Sequence, residues 1–287
     1  SCANVQAASF RHISMHSIKF LQCLTDYTGI VDVVTAIAKA IQIHKTDMDV
    51  QENAFKALHL LVSLKVDCQE SLVHIGGVQT LVGAMTAYKK NITIQENGMA
   101  IMTLVINTNN IYYTRAVSEA GGIEAMIGSL FICPGDTFVR TTGVALKNAM
   151  RTYKYHLDRT LPIAHALFTG MHMHATNPAA QHKGCRVISC ITFRNSQAIT
   201  TMVRAGGILA VTTALSVTIA PSSHMQYEEV AISALEALTG LAYPLQPDFT
   251  LAVVACVPLV IQVMERHHTA LNLRSLGCAF IGCIYKS

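Results

Sequence analysis

Residues 51–85 read QENAFKALHLLVSLKVDCQESLVHIGGVQTLVGAM, and residues 95–130 read QENGMAIMTLVINTNNIYYTRAVSEAGGIEAMIGSL. The two stretches are copies of one pattern. Val50-Gln51-Glu52-Asn53 returns as Ile94-Gln95-Glu96-Asn97, 44 residues later. Ile75-Gly76-Gly77-Val78 returns as Ala120-Gly121-Gly122-Ile123 after 45 residues, and as Ala205-Gly206-Gly207-Ile208 after 85 more, nearly two further periods. A recurring period of this length is the signature of a stacked repeat, and it sets the fold before any motif is considered.

Working outward, small or apolar residues recur at i, i+3, i+4 and i+7, the mark of a helix with one buried face. Seven segments carry it: Ser17/Phe20/Leu21/Leu24, Ala54/Ala57/Leu58/Leu61, Gly98/Ile101/Met102/Val105, Thr142/Ala145/Leu146/Ala149, Gly184/Val187/Ile188/Ile191, Ala231/Ala234/Leu235/Leu238 and Leu276/Ala279/Phe280/Cys283. Within a period, Asp49 and Thr93 stand three residues before Glu52 and Glu96, the spacing of a capping box, so a helix is expected to begin there. It runs to about Leu64 or Ile106, a polar break follows, and a second short helix ends at the Gly-Gly pair. Glycine there accepts the left-handed backbone that turns the chain into a third helix.

These residues resemble the armadillo repeat family, in which a helix of the form xQExAxxALxxL precedes an Asn-rich break and an I-x-x-A-G-G-I turn. Asn107, Asn109 and Asn110 fill the break before Ala120-Gly121-Gly122, and Asn195 fills it before Ala205-Gly206-Gly207. The likeness is specific over residues 49–130, fair over 180–240 and degraded elsewhere. Pro162 stands near a turn without Gly-Gly, and Ala255-Cys256 replaces the pair in the last unit. The resemblance implies an all-α, right-handed α-solenoid of about six three-helix repeats forming a single domain over 1–287. Its approximate units are 1–44, 45–88, 89–132, 133–175, 176–220 and 221–287, with degraded terminal repeats. Each unit covers its neighbour's apolar face, and the stack winds into a concave groove.

In this family the third helix lines the groove, and the positions two and six residues after the first core position face outward. Here they are Lys19/Cys23, Lys56/Leu60, Ala100/Leu104, Val144/Asn148, Arg186/Cys190, Ser233/Ala237 and Cys278/Gly282. Nuclear-import receptors of the family place Trp and Asn there to grip basic peptides; this chain has no Trp and only Asn148 at the Asn place. Catenin-like members line the whole groove with cations, which this chain does not. The expected partner-binding residues are Lys56, Asn148 and Arg186, with neighbouring Asn97, Lys147 and Arg151. A mildly basic groove of this kind suits a protein or peptide segment held by backbone contacts and apolar pockets.

Composition bounds the class of chain without naming a partner. Apolar residues make up 51% and charged ones 13%, far from a disordered chain. Lys and Arg number 21 against 17 Asp and Glu, a net charge of +4 spread along the sequence, so no footprint for nucleic acid is visible. Runs such as Leu251 to Met264 are too short for a transmembrane span, and Pro258 interrupts that one. Nine cysteines scattered through helical segments read as buried thiols of an intracellular reducing compartment, cytoplasmic or, alternatively, mitochondrial.

No G-x-S-x-G elbow, phosphate loop or H-E-x-x-H is present, which argues against an enzyme. Met171-His172-Met173-His174 and His267-His268 read as helix ends and loops rather than metal sites, and the five-residue steps Cys185/Cys190 and Cys278/Cys283 do not suit zinc. No cofactor or metal is expected. Two functions follow: an adaptor that recruits a partner segment through its groove, or a permanent subunit of a large assembly. The low charge fraction and a mean hydropathy of +0.38 motivate the second, with Tyr112, Tyr113, Phe131 and Tyr153 as candidate contacts.

Overall fold

The structure, a computed structural model, describes residues 3–11, 27–108, 110–134, 136–153, 157–219, 225–243 and 247–285. The described residues are helical, with no strand among them, and fall into two compact units, Ser1–Phe138 and Val139–Ser287. The seam at Ser17/Phe20/Leu21/Leu24, the pair Lys19/Cys23, and Asn109 lie outside the described residues.

The first unit contains α1 (residues 3–11), α2 (Tyr27–Ile43), α3 (Met48–Leu64), α4 (Val66–His74), α5 (Gly77–Ala87), α6 (Ile92–Asn107), α7 (Ile111–Glu119) and α8 (Gly122–Ile132). Long, short and medium helices alternate as the period requires. Every member of the α3 seam (Ala54, Ala57, Leu58, Leu61) and of the α6 seam (Gly98, Ile101, Met102, Val105) is buried. The turns into α5 and α8 pass through Gly76 at φ +70° and Gly121 at φ +76°, where a side chain would be strained.

The helix starts differ from the expected capping boxes by two residues. Asp47 caps α3 by accepting from the Val50 amide at 3.1 Å, and Asn91 caps α6 by accepting from Ile94 at 3.0 Å. Asp49 and Thr93 are already inside the first turn, where their carbonyls accept from Asn53 and Asn97. Glu52 is drawn elsewhere, accepting from Asn91 Nδ2 of the next repeat at 2.8 Å. Asn110 in turn caps α7, accepting from the Tyr112 amide.

The glutamine of the recurring Gln-Glu-Asn has a different task. Gln51 Nε2 donates to the carbonyls of Ile41 and His44, and Gln95 Nε2 to those of Met85 and Tyr88. Each glutamine thereby satisfies carbonyls at the C-terminus of the preceding helix, which have no intrahelical partner. The following small residue completes the joint, because the Met85 side chain occupies the space a Cβ on Gly98 would need.

The second unit contains α9 (Thr137–Thr152), α10 (Leu157–Met173), α11 (Pro178–Thr192), α12 (Ser196–Arg204), α13 (Gly207–Val217), α14 (Met225–Ala242), a short 3-10 turn (Pro247–Phe249), α15 (Thr250–Val254), α16 (Val257–Arg266) and α17 (Leu271–Tyr285). The same joint recurs here: Gln181 Nε2 donates to the carbonyls of Met171 and His174, and Met171 fills the space beside Gly184. The Met-His-Met-His run is therefore a helix C-terminus. Asn195 caps α12, and Gly206 turns into α13 at φ +93°.

Pro162 does not mark a turn, for α10 runs continuously through it. The last Gly-Gly pair is replaced by Ala255 and Cys256 in ordinary right-handed backbone, with Pro258 opening α16. The seventh seam is also corrected. Leu273, Gly277 and Phe280 are buried while Ala279 is exposed, so the seam begins at Gly277, one residue later than the sequence pattern suggests. Met264 against Gly277 repeats the joint of Met85 with Gly98 and fixes that register.

Candidate functional site

The predicted groove residues divide between the two units. In the first, Lys56 on α3 lies 3.8 Å from Glu52, one turn earlier on the same helix. Asn97 Oδ1 on α6 accepts from His59 Nδ1 at 2.8 Å while its Nδ2 donates to the Thr93 carbonyl. Both side chains are engaged within the unit, Asn97 as a tie between α3 and α6.

In the second unit the structure brings Lys147, Arg151 and Arg186 together and adds two cations not singled out from the sequence. Lys147 Nζ donates to the Phe193 carbonyl and lies 5.0 Å from the centroid of the Phe193 ring. Arg194 covers the same ring, its Cζ 5.3 Å from the centroid, although Phe193 remains 61% exposed. Burial lowers the Lys147 pKa from its ordinary value, the cations of Arg151 and Arg194 lower it further, and the Cys190 thiol opposes them. Burial pushes the Cys190 thiol up, against the pull of Arg186, Arg140 and Lys147. Arg151 and Arg194 thus act on Lys147, and Arg140, Arg186 and Lys147 on the Cys190 thiol, across α9, α11 and the turn that follows α11, with Asn148 half-buried on the same α9.

Close packing of α9 on α11 produces this gathering. Gly143 faces Cys190 so tightly that a Cβ there would collide with the Cys190 Cβ. Glu236 of α14 stands at the edge, 3.7 Å from Arg186. Beyond Phe193, a cavity of about 840 Å³ opens between α11, α14 and α17, lined among others by Asn195, Ile199, Thr239 and Tyr243. The Asn195 Nδ2 donor is buried there without a partner. Of the two added cations Arg140 has a helical signal, since Arg140, Lys147 and Arg151 are spaced i, i+7, i+11 on one face of α9, whereas Arg194 lies past the end of α11.

Three other expected groove positions do not face outward: Ser233 and Ala237 on α14 are fully buried and Ala100 is nearly so, while Val144 and Cys278 are exposed and the corrected register of α17 moves the pair to Ala279/Cys283. Of the aromatic candidates for a permanent contact, Tyr112 is open, Phe131 half-buried, and Tyr113 and Tyr153 buried.

Among the described residues, no three His, Cys, Asp or Glu side chains converge as metal ligands. His267 Nε2 reaches the Thr218 carbonyl at 3.2 Å and ties the end of α16 to that of α13. Burial pushes Cys68 and Cys256 up to about 11 and Cys185 up to about 12, which removes the thiolate character a nucleophile needs. No single described helix is long and apolar enough to cross a membrane; α12 and α13 together have the length and composition but bend by 74° at their junction.

Comparison with solved structures defines the class of fold. The chain is similar to a designed armadillo repeat protein in complex with the peptide (KR)4, at 14% identity over 86% of this chain and 99% of that one, with a TM-score of 0.57. A second designed armadillo repeat protein matches at 14% identity over the same shares, with a TM-score of 0.53. An engineered protein matches at 20% identity over 91% of this chain, with a TM-score of 0.55, and the chain spans 60% of its length. No protein-family model matches the sequence, and no curated protein matches it significantly. The fold is an all-α, armadillo-like solenoid, as the repeats implied.

Proposed function

We propose that the protein is a non-catalytic scaffold whose α9–α11 face takes an extended, acidic segment of a partner protein. The observation that carries this reading is the gathering of Arg140, Lys147, Arg151, Arg186 and Arg194 against Glu236 at one edge. A cluster of one sign steers an oppositely charged partner and fixes its register. The cavity beyond Phe193 receives an apolar or amide side chain of the same segment. The similarity in fold to a designed protein that holds a peptide supports peptide binding, with the opposite charge preference here.

The test is fluorescence anisotropy with an alternating Asp-Glu peptide of the same length as (KR)4. The acidic peptide should bind, weaken as salt rises, and lose affinity on Arg140→Glu with Arg151→Glu, while (KR)4 should not bind. Equal binding of both peptides, or acidic binding that survives the double reversal, overturns the proposal.

A second reading, a permanent subunit of a larger assembly in the cytoplasm or an organelle such as the mitochondrion, draws on a different surface. Leu209 on α13 and Leu251 on α15 are 71% and 85% exposed, beside an apolar cavity of about 410 Å³ lined by Val203, Ala252, Cys256 and Leu259. Apolar surface of this kind is typical of permanent interfaces. A native mass with fixed, stoichiometric companions supports it; a free monomer removes it.

A further inference from the structure

The cleft between α2 and α5 belongs to the first unit and is independent of the reading given for the α9–α11 face. It encloses about 480 Å³, with Ile41, Gly83 and Ala84 among its apolar walls and Lys45 and Thr80 among its polar ones. Gln51, fully buried, lines it as well. Both Nε2 protons of Gln51 are committed, to the carbonyls of Ile41 at 2.8 Å and His44 at 2.9 Å. Its Oε1 is buried and has no hydrogen-bond partner.

The next repeat shows what is different. Gln95 makes the same two bonds, and its Oε1 accepts from Ser129 Oγ at 2.6 Å. Ser129 is the eighth residue of α8, and the eighth residue of α5 is Ala84. The hydroxyl that closes the second repeat is therefore lacking in the first. Gly83 enlarges the opening, for a Cβ there would meet nothing within 4 Å.

We infer that this cleft binds a primary carboxamide, whose N–H donates to Gln51 Oε1. A carboxylate has no proton for that acceptor, and an ammonium would be opposed by Lys45. Thr80 Oγ1 accepts from Gln42 Nε2 at 2.7 Å, so its own proton is directed elsewhere and can serve the amide carbonyl. The cleft greatly exceeds the roughly 30 Å³ of one water, leaving room for the carbon body of the ligand against Ile41. The amide comes either from an Asn or Gln side chain of a partner or from a free small molecule.

The experiment follows the Gln51 side-chain amide by ¹⁵N NMR while the whole protein is titrated with isobutyramide or with N-acetylglutamine N-methylamide. A saturable shift is expected with both. Tighter binding of the capped glutamine assigns the amide to a partner side chain, and tighter isobutyramide assigns it to a small molecule. Ala84→Ser, which supplies the missing hydroxyl, should weaken binding by about tenfold or more. Gly83→Val should abolish it, whereas Gly128→Val, at the matching open position of α8, should leave it unchanged. Each variant's amide dispersion reports its fold. No saturable shift in the unsubstituted protein, or a shift that persists in both folded cleft variants, overturns the inference and leaves the α9–α11 reading untouched.

Discussion

The α3–α6 face of the first unit and the α9–α11 face of the second rest on the same buried seams, yet their surface charges are arranged in opposite ways. On α3 and α6, Lys56 is answered by Glu52, Glu52 by Asn91, and His59 by Asn97, so the polar groups satisfy one another. On α9 and α11, cations crowd around Lys147 and Cys190 with Glu236 at the edge. The seam positions are constrained by packing and repeat faithfully. Face positions are free to diverge, and in the second unit they diverge toward an excess of positive charge.

The largest effect should come from breaking that asymmetry. Arg140→Glu with Arg151→Glu should weaken an acidic peptide by about a hundredfold, or about 3 kcal/mol, because two attractions become repulsions. Lys56→Glu should change the same affinity by less than about twofold, since an exposed i,i+4 pair is worth little. Anisotropy on the two variants decides the matter. Equal losses would mean that the two faces act alike and the contrast between them is only local pairing.

Next in size is a comparison of the helix joints. Gln95→Leu should destabilise the protein by about 1–3 kcal/mol in urea unfolding, because the buried Met85 carbonyl loses its side-chain donor and the Tyr88 carbonyl is left with the Asn91 amide alone. Gln51→Leu should cost about 1 kcal/mol less, because it also removes a buried acceptor that already lacks a partner. Identical losses would show that the Ser129 bond adds nothing to the second joint.

How far the sequence reveals all this depends on what each residue answers to. The Gly-Gly pairs are legible because a left-handed backbone leaves few alternatives to glycine, and three of the pairs turn as expected. The seams at Ala54, Gly98, Thr142, Gly184 and Ala231 are legible because a helix buries a fixed period. The caps are less legible because Asp47 and Asp49, or Asn91 and Thr93, are both chemically able to cap, and the choice is settled when Glu52 bonds to Asn91 instead of closing its own box. In α17, Leu276 and Gly277 are adjacent candidates for the seam, and only Met264 packing on Gly277 distinguishes them. The site was half legible: Lys147, Arg151 and Arg186 follow from the helix face, while Arg194 stands beyond the end of α11, where helical spacing no longer governs direction.

A smaller effect tests whether the contrast is confined to the faces. Cys68 in the first unit and Cys185 and Cys256 in the second have thiol pKa values raised above the ordinary 9.0. A thiol whose folded pKa is raised gives stability that is complete below the unfolded pKa and is lost as pH climbs through the folded one. Stability should therefore hold up to about pH 9 and fall from there toward pH 11 to 12, by about 1 kcal/mol per thiol over the first unit of pH. Hydrogen exchange should record the loss in both units. A loss confined to one unit would place the difference in the cores as well.

The smallest effect concerns the turn after α11. Arg194 has φ +52°, whereas Lys65 and Thr108, at the turns after α3 and α6, have φ −136° and −62°. A left-handed arginine costs about 1 kcal/mol, and asparagine tolerates that backbone better. Arg194→Asn should therefore raise stability by about 0.5 kcal/mol, part of the relieved strain being offset by the lost contact with the Phe193 ring. It should also weaken the acidic peptide, because the strained turn holds a cation over an exposed aromatic next to Lys147. Stability that rises while affinity falls identifies the strain as serving recognition. Stability that falls while affinity holds would make the stacking of Arg194 on Phe193 a structural clasp, and the cationic face would then consist of Arg140, Lys147, Arg151 and Arg186 alone.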